Sequence, residues 1–301
     1  MKVREWLGVV AISLVCAGVI GPLIVYLASN RQINRRYHPV VSRIAIPGDS
    51  AAVARGRHLI QAVARCVECH GEDLGGTALT NTPAFGEIAA PNITTGLGGK
   101  GLVYSDEELL RLIGHGVKRD GRAAVLMPVA AYRYLSDDDL AAIVAYLHNA
   151  PPVDKEWPAN RIGPLARVLI AARRVSVFAA TTIDHDRRDA QPRQVPDTTA
   201  AYGHYLTLIA GCQGCHNPAM SGGPITGGDP GSPPAANLTP TGIGHYVEDD
   251  FVRVLRNGTG IGGRVISDFM PWKSARRLTD VEIHAIWLYL IALPPKAMGQ
   301  P

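Results

Sequence analysis

The apolar positions of this chain fall first into one long run and then into short amphipathic stretches that recur in the same order twice. The run, Leu7 to Ala28, holds about twenty residues and is long enough to cross a bilayer as a helix. From Ala51 to Arg65 the pattern predicts a helix, with a counterpart around Gly203. Gly56 and Gly203 sit at matching places in these two stretches, where glycine lowers helix propensity. Close packing of a second helix is the reason the pattern offers. Ser105 and Glu108 form an S-x-x-E capping box that opens a helix ending near Gly114 or Gly116. Its second copy runs from Tyr246 through Phe251 to Gly258. A capped helix begins at Ser136-Asp137 and another at Thr279-Asp280, and each stops at a proline pair, Pro151-Pro152 and Pro294-Pro295.

The segments between these helices are also paired. Pro91-Asn92-Ile93-Thr94 matches Ala236-Asn237-Leu238-Thr239, and Leu126-Met127-Pro128 matches Phe269-Met270-Pro271. The offset between copies is constant from the Met-Pro steps to the proline pairs and drifts only in the loops. Two long units indicate a duplicated module rather than a solenoid. The expected organisation is an N-terminal anchor at 1–30, a tether at 31–50, a first domain at 51–152, a linker at 153–195, a second domain at 196–296 and a tail at 297–301. Within the linker, Leu165 to Ala180 has helical composition with Arg167, Arg173 and Arg174. It reads as an amphipathic helix packed between the modules, or as a surface helix on lipid or a partner.

Lys2 and Arg4 precede the long apolar run, which a cleaved signal peptide would also explain. Its length exceeds a usual signal h-region and no A-x-A site follows, which favours a retained transmembrane anchor. Arg31, Arg35 and Arg36 follow the run and by the positive-inside rule place that side in the cytoplasm. The chemistry described next is compartment-bound and argues for the opposite orientation.

Each module opens on the same motif. Cys66-Val67-Glu68-Cys69-His70 and Cys212-Gln213-Gly214-Cys215-His216 are both C-x-x-C-H, the attachment site of a c-type haem. Two thiols form thioethers with the haem vinyl groups and the histidine binds the iron. These motifs take four of the five cysteines. The fifth, Cys16, lies in the apolar run and reads as a small apolar residue. A zinc site would have to bring distant C-x-x-C pairs together, and disulfides would leave both adjacent histidines unexplained. Two covalently bound haems c are expected, with His70 and His216 as proximal ligands. Met127 and Met270 are the expected sixth ligands, because two of only five methionines fall at equivalent places, each before a proline that stiffens the backbone. Met220 follows His216 too closely to reach the opposite haem face easily. His115 and His148 have no equivalents in the second copy, and His58, His204, His245 and His284 are scattered.

Composition changes this picture little. The formal charge is +4, and 32 glycines and 22 prolines suit short helices joined by long loops. No long basic run or recognised motif supports nucleic-acid binding.

The G-x-x-L before each C-x-x-C-H, the A/P-N-[IL]-T segments, the D-E-E-L-type helix, the M-P steps and the L-[ST]-D helices ending in Pro-Pro resemble the cytochrome c subunits of bacterial membrane-bound alcohol, aldehyde and gluconate dehydrogenases. That resemblance implies a mainly α fold of two tandem class I cytochrome c-like domains. It also implies electron transfer from a dehydrogenase towards quinone or a terminal oxidase. Because haem is attached to such motifs on the periplasmic side, the domains are expected in the periplasm and the span in the bacterial inner membrane. A fixed place in a respiratory complex fits the same features. The competing class is a dihaem enzyme, a peroxidase or a thiosulfate-oxidising cytochrome, which needs an open haem site or a further cysteine ligand. Paired methionines argue against it, and no residue is assigned a catalytic role.

Overall fold

The computed structural model describes residues 3–41, 43–175, 177–181, 183–186, 190–225 and 233–301, leaving aside the side chains of 3–5, 7–17 and 179. The fold is mainly helical. Helix α1 (Val3–Ile33) comes first. In the first half, α2 (Ser50–His58) continues into a π-helical turn, Leu59–Val63, and the haem motif forms α3 (Val67–His70). Strands β1 (Thr77–Thr82) and β2 (Gly86–Ala90) follow, then α4 (Lys100–Val103), α5 (Asp106–His115), α6 (Val129–Tyr132) and α7 (Asp137–Asn149). Strand β3 (Arg161–Ile162) and α8 (Pro164–Ala171) lead to the second half. There the order returns: α9 (Ala200–Ile209), α10 (Gln213–His216), α11 (Pro240–Ile243), α12 (Glu248–Asn257), α13 (Trp272–Ala275) and α14 (Asp280–Ile291).

The capping signals act as their chemistry requires. Ser105 accepts from the Glu108 amide while Glu108 reaches back to the Ser105 amide, and Thr279 with Glu282 does the same at α14. Asp49 caps α2 and Thr199 caps α9. The π turn inserts an extra residue between Gly56 and Cys66, which accounts for the one-residue drift between the copies there.

Helix α2 crosses α7, and α9 crosses α14, at the two paired glycines. A Cβ on Gly56 would lie 1.9 Å from the Ala142 carbonyl oxygen, and one on Gly203 would lie 1.9 Å from that of Ala285. The crossings bury Leu59, Val63, Leu140 and Val144 in the first half, and Leu206, Ile209, Ile283 and Leu290 in the second. These residues belong to one continuous core, so the halves share their apolar interior. Met220 is wholly buried in it.

A polar cluster lies inside this junction. Asp139 and Glu282 are equivalent positions, the third residues of α7 and α14, and both are buried. The Arg55 guanidinium forks onto Asp139 at 2.8 and 2.9 Å, and the Tyr205 hydroxyl of the second half donates to the same carboxylate at 2.6 Å. His58 of the first half meets Glu282 of the second at 2.8 Å. At the rim, Arg277 holds Glu72 bidentately at 2.7 and 2.9 Å.

Four expectations change. The stretch after the first haem motif is more than a loop: it forms a small antiparallel sheet in the order β1-β2-β3. Strand β3 comes from the supposed linker, and Trp157 Nε1 donates to the Gly75 carbonyl at 2.9 Å, so residues past 152 belong to the first half's wall. The linker helix is short and packs on α1 rather than between the halves, with Gln32 Nε2 donating to the Ile170 carbonyl at 2.9 Å and Arg167 to Ser29 Oγ at 3.1 Å. The expected transmembrane helix is not found: among the described residues no helix is long and apolar enough to cross a membrane. The side chains of 7–17, half of the apolar run and the place of Cys16, lie outside the described residues.

Candidate functional site

In each half the two motif cysteines flank one turn of helix, and the histidine closes it. The Cys69 and His70 amides bond back to the Cys66 carbonyl, and Cys215 and His216 do the same to Cys212. C-x-x-C-H thus winds into a single turn that places both thiols and the imidazole along one short segment. The thiol sulfurs stand where thioether sulfurs would be in a haem-bound protein. Burial pushes the Cys66 thiol up to about 12 and raises the other three thiols as well.

The imidazoles are oriented by their surroundings. His70 Nδ1 lies 2.8 Å from the Pro91 carbonyl, and His216 Nδ1 lies 2.8 Å from that of Ala236. Such a bond puts the proton on Nδ1 and leaves Nε2 with a free lone pair, the arrangement of a metal-ligating histidine. Burial depresses both imidazoles below the usual histidine range, which keeps them neutral.

The paired Asn-x-Thr segments hold those carbonyls in place. Asn92 Oδ1 accepts from the Thr94 amide and hydroxyl at 2.9 and 2.8 Å, while its Nδ2 donates to the Val153 carbonyl at 2.6 Å. Asn237 repeats this with Thr239 at 2.9 and 2.8 Å and with the Lys296 carbonyl at 2.7 Å. All four side chains are buried. The sequence showed the segments as a pair, but their role depends on chain far away, beyond the closing helices.

In the first half the motif opens onto a cavity of about 850 Å3, lined by Cys66, Cys69, His70, Pro91, Tyr132 and Met127 among others. Its size lies in the roughly 300–1,000 Å3 range of cofactor pockets. His70 and Met127 both face this cavity, and His70 is the one histidine that lines it among the described residues. The donor set of two thiols, an imidazole and a thioether therefore fits a covalently attached haem. Met270 occupies the equivalent place in the second half, partly buried against the core. The scattered histidines are engaged elsewhere. His148 pairs with Asp106 and His284 with Glu248, both at 2.6 Å, and His204 stacks on Tyr289.

Two site residues gave no signal in the sequence. Tyr132 donates its hydroxyl to the Ala64 carbonyl at 2.7 Å beside Cys66, and Arg65 lines the cavity next to the motif.

Residues 51–147 match the family model described as "Cytochrome C oxidase, cbb3-type, subunit III". The chain is 31% identical over 297 residues to the gluconate 2-dehydrogenase cytochrome c subunit of Pantoea cypripedii, covering 84% of this chain and 62% of the relative. It is 29% identical over 293 residues to the cytochrome c subunit of the quinone alcohol dehydrogenase of Gluconacetobacter polyoxogenes, covering 84% and 58%. Over 125 residues it is 29% identical to the fructose dehydrogenase cytochrome subunit of Gluconobacter japonicus, covering 39% and 26%. The chain spans 58–62% of the length of the first two relatives. Residues 51–147 are thus similar to a cytochrome c domain of the CBB3 type, and the chain as a whole is similar, at about 30% identity over most of its length, to the cytochrome c subunits of alcohol and gluconate dehydrogenases.

Proposed function

We propose that the chain is a dihaem c-type cytochrome that relays electrons from a dehydrogenase towards quinone or a terminal oxidase. The observation that carries this reading is the doubled site. Each half has a C-x-x-C-H turn, an imidazole fixed through Nδ1 by a backbone carbonyl, and a Met-Pro step. Haem, when bound, supplies a one-electron iron couple. The chain's residues do the rest. Cys66 and Cys69, and Cys212 and Cys215, would attach the ring, while His70 and His216 would each ligate an iron. Met127 and Met270 would each supply a second ligand, a thioether that would bias the couple towards the reduced form. A histidine and a methionine for each iron would leave neither site a place for a substrate, which favours a relay over a peroxidase or a thiosulfate-oxidising enzyme.

The names of the relatives support a dehydrogenase as the electron donor. Retention at the periplasmic face of the inner membrane is part of the proposal, carried by the sequence of Leu7 to Ala28. Extraction of membranes with alkaline carbonate tests it, since an anchored chain stays with the pellet and a cleaved one is released.

The relay reading is tested by optical spectroscopy of the full chain in its ferric form. Met127→Ala and Met270→Ala should each remove about half of the methionine–iron charge-transfer absorbance, and the double variant all of it. The unsubstituted protein should not turn over peroxide or thiosulfate. Rapid turnover of either, or charge-transfer absorbance untouched by both substitutions, would sink the reading.

A further inference from the structure

Arg65, the residue before the first motif, connects the two attachment sites. Its backbone has φ +55°, in the left-handed region, and the equivalent residue of the second half is Gly211 at φ +71°. A non-glycine residue in that region is strained, and here the side chain makes contacts that glycine could not. Its Nη2 donates to the carbonyl of Ala210 at 2.7 Å, two residues before Cys212. Its Nη1 reaches Glu68 at 3.4 Å. The guanidinium is largely covered, with its side chain 23% exposed, and it lines the first cavity.

The surroundings bring the two motifs together at this point. The position of a Cβ on Gly211 is 3.4 Å from Ala131, in the Met-Pro helix of the first half. Glu72, two residues after His70, is held by Arg277, which follows the Met-Pro helix of the second half. The route from Cys66 to Cys212 is therefore short: the backbone of Arg65, one hydrogen bond, and the backbone of residues 210–212. The Arg65 guanidinium acts electrostatically on Cys66, Cys69, Cys212 and Cys215, with the Glu68 carboxylate opposing it at Cys69.

We infer that Arg65 is a shared positioning residue of both haem sites: it fixes the first motif against the second and imposes one positive charge on the two iron couples together. This rests on the two-haem reading. A fixed cation disfavours the form with the higher positive charge, and the ferric iron carries one more than the ferrous. Arg65 therefore raises both reduction potentials.

The test is spectroelectrochemical titration of the full holoprotein, with the haem content of the same preparation taken from intact mass. Arg65→Gly removes the charge while relieving the left-handed backbone, and Arg65→Lys keeps the charge without the fork. Both midpoint potentials should fall together in R65G and stay near those of the unsubstituted protein in R65K. Arg65→Gln, a second charge-free variant, should repeat the fall. Two haems per chain with unchanged potentials in R65G, a shift in only one of them, or an equal fall in R65K would overturn the assignment. One haem per chain in the unsubstituted protein would overturn the two-haem reading itself, and this inference with it.

Discussion

Gly56→Ala sets two physical effects of opposite sign against each other. In a helix, alanine is favoured over glycine by about 1 kcal/mol, so propensity alone predicts a more stable protein. The structure predicts the reverse. The new methyl would stand 1.9 Å from the Ala142 carbonyl oxygen, 2.5 Å from its carbon and 2.9 Å from Tyr146 Cβ. Two of these atoms are backbone in the middle of α7, so no rotamer change relieves the contact. Reaching ordinary contact at 3.4 Å requires α2 and α7 to separate by about 1.5 Å at this crossing. A gap of 0.5–1 Å already forfeits roughly a quarter to a half of the dispersion energy of the atoms lining it. Overpacking of this kind costs about 1–3 kcal/mol and belongs at the upper end where backbone meets backbone. With the propensity gain subtracted, the net loss is about 2 kcal/mol, a fall in midpoint temperature of about 3 °C for a chain of 301 residues. Thermal and urea unfolding of the purified protein, followed by circular dichroism, measure it. Gly48→Ala is the control, since nothing lies within 4 Å of a Cβ there. A Gly56→Ala protein that is more stable than its parent would refute the close-crossing argument.

The remaining predictions concern the junction and the orientation of the imidazoles. Glu282→Gln leaves His58 and Arg55 without their buried carboxylate and should cost about 3 kcal/mol in urea unfolding. Burial alone would raise the Glu282 carboxyl, but His58, the Thr279 amide and Arg55 outweigh it and hold the group below its ordinary value. Its contribution is therefore complete above the unfolded carboxylate pKa of about 4.3 and disappears as pH falls through the lower folded value. The urea midpoint should drop on acidification below about pH 5, and E282Q should flatten that part of the profile. Asn92→Ala frees the loop that carries the Pro91 carbonyl and should broaden the electron paramagnetic resonance signal of the first ferric haem while leaving the second unchanged. An unchanged first signal would show that the imidazole is held by something else.

Much of the site could be read from the chain because its chemistry is local. The C-x-x-C-H turns, the Met-Pro steps and the capping pairs Ser105/Glu108 and Thr279/Glu282 each lie within a few residues, and duplication made each visible twice. The paired glycines were interpretable because a helix tolerates glycine only for a reason, which the two 1.9 Å approaches supply. What the sequence hid depends on long-range partners. Asn92 works through Val153, Trp157 through Gly75, and Arg65 through Ala210. The strand pairing of β2 with β3 joins segments with no strong alternating pattern. The junction cluster was illegible for a different reason. Arg55 and His58 are replaced by Tyr202 and Tyr205 at the equivalent places, so the repeat masks a pairing that runs across the two copies rather than within them.

The central claim, two haem sites of the same construction in one chain, is tested most directly by intact-mass measurement of the protein made in a host competent for cytochrome c maturation. The account predicts the mass of the chain plus two haems. It predicts one haem after Cys66→Ala/Cys69→Ala, one after Cys212→Ala/Cys215→Ala, and none when all four are replaced. A single haem on the unsubstituted chain, or a haem that survives replacement of all four cysteines, would contradict it.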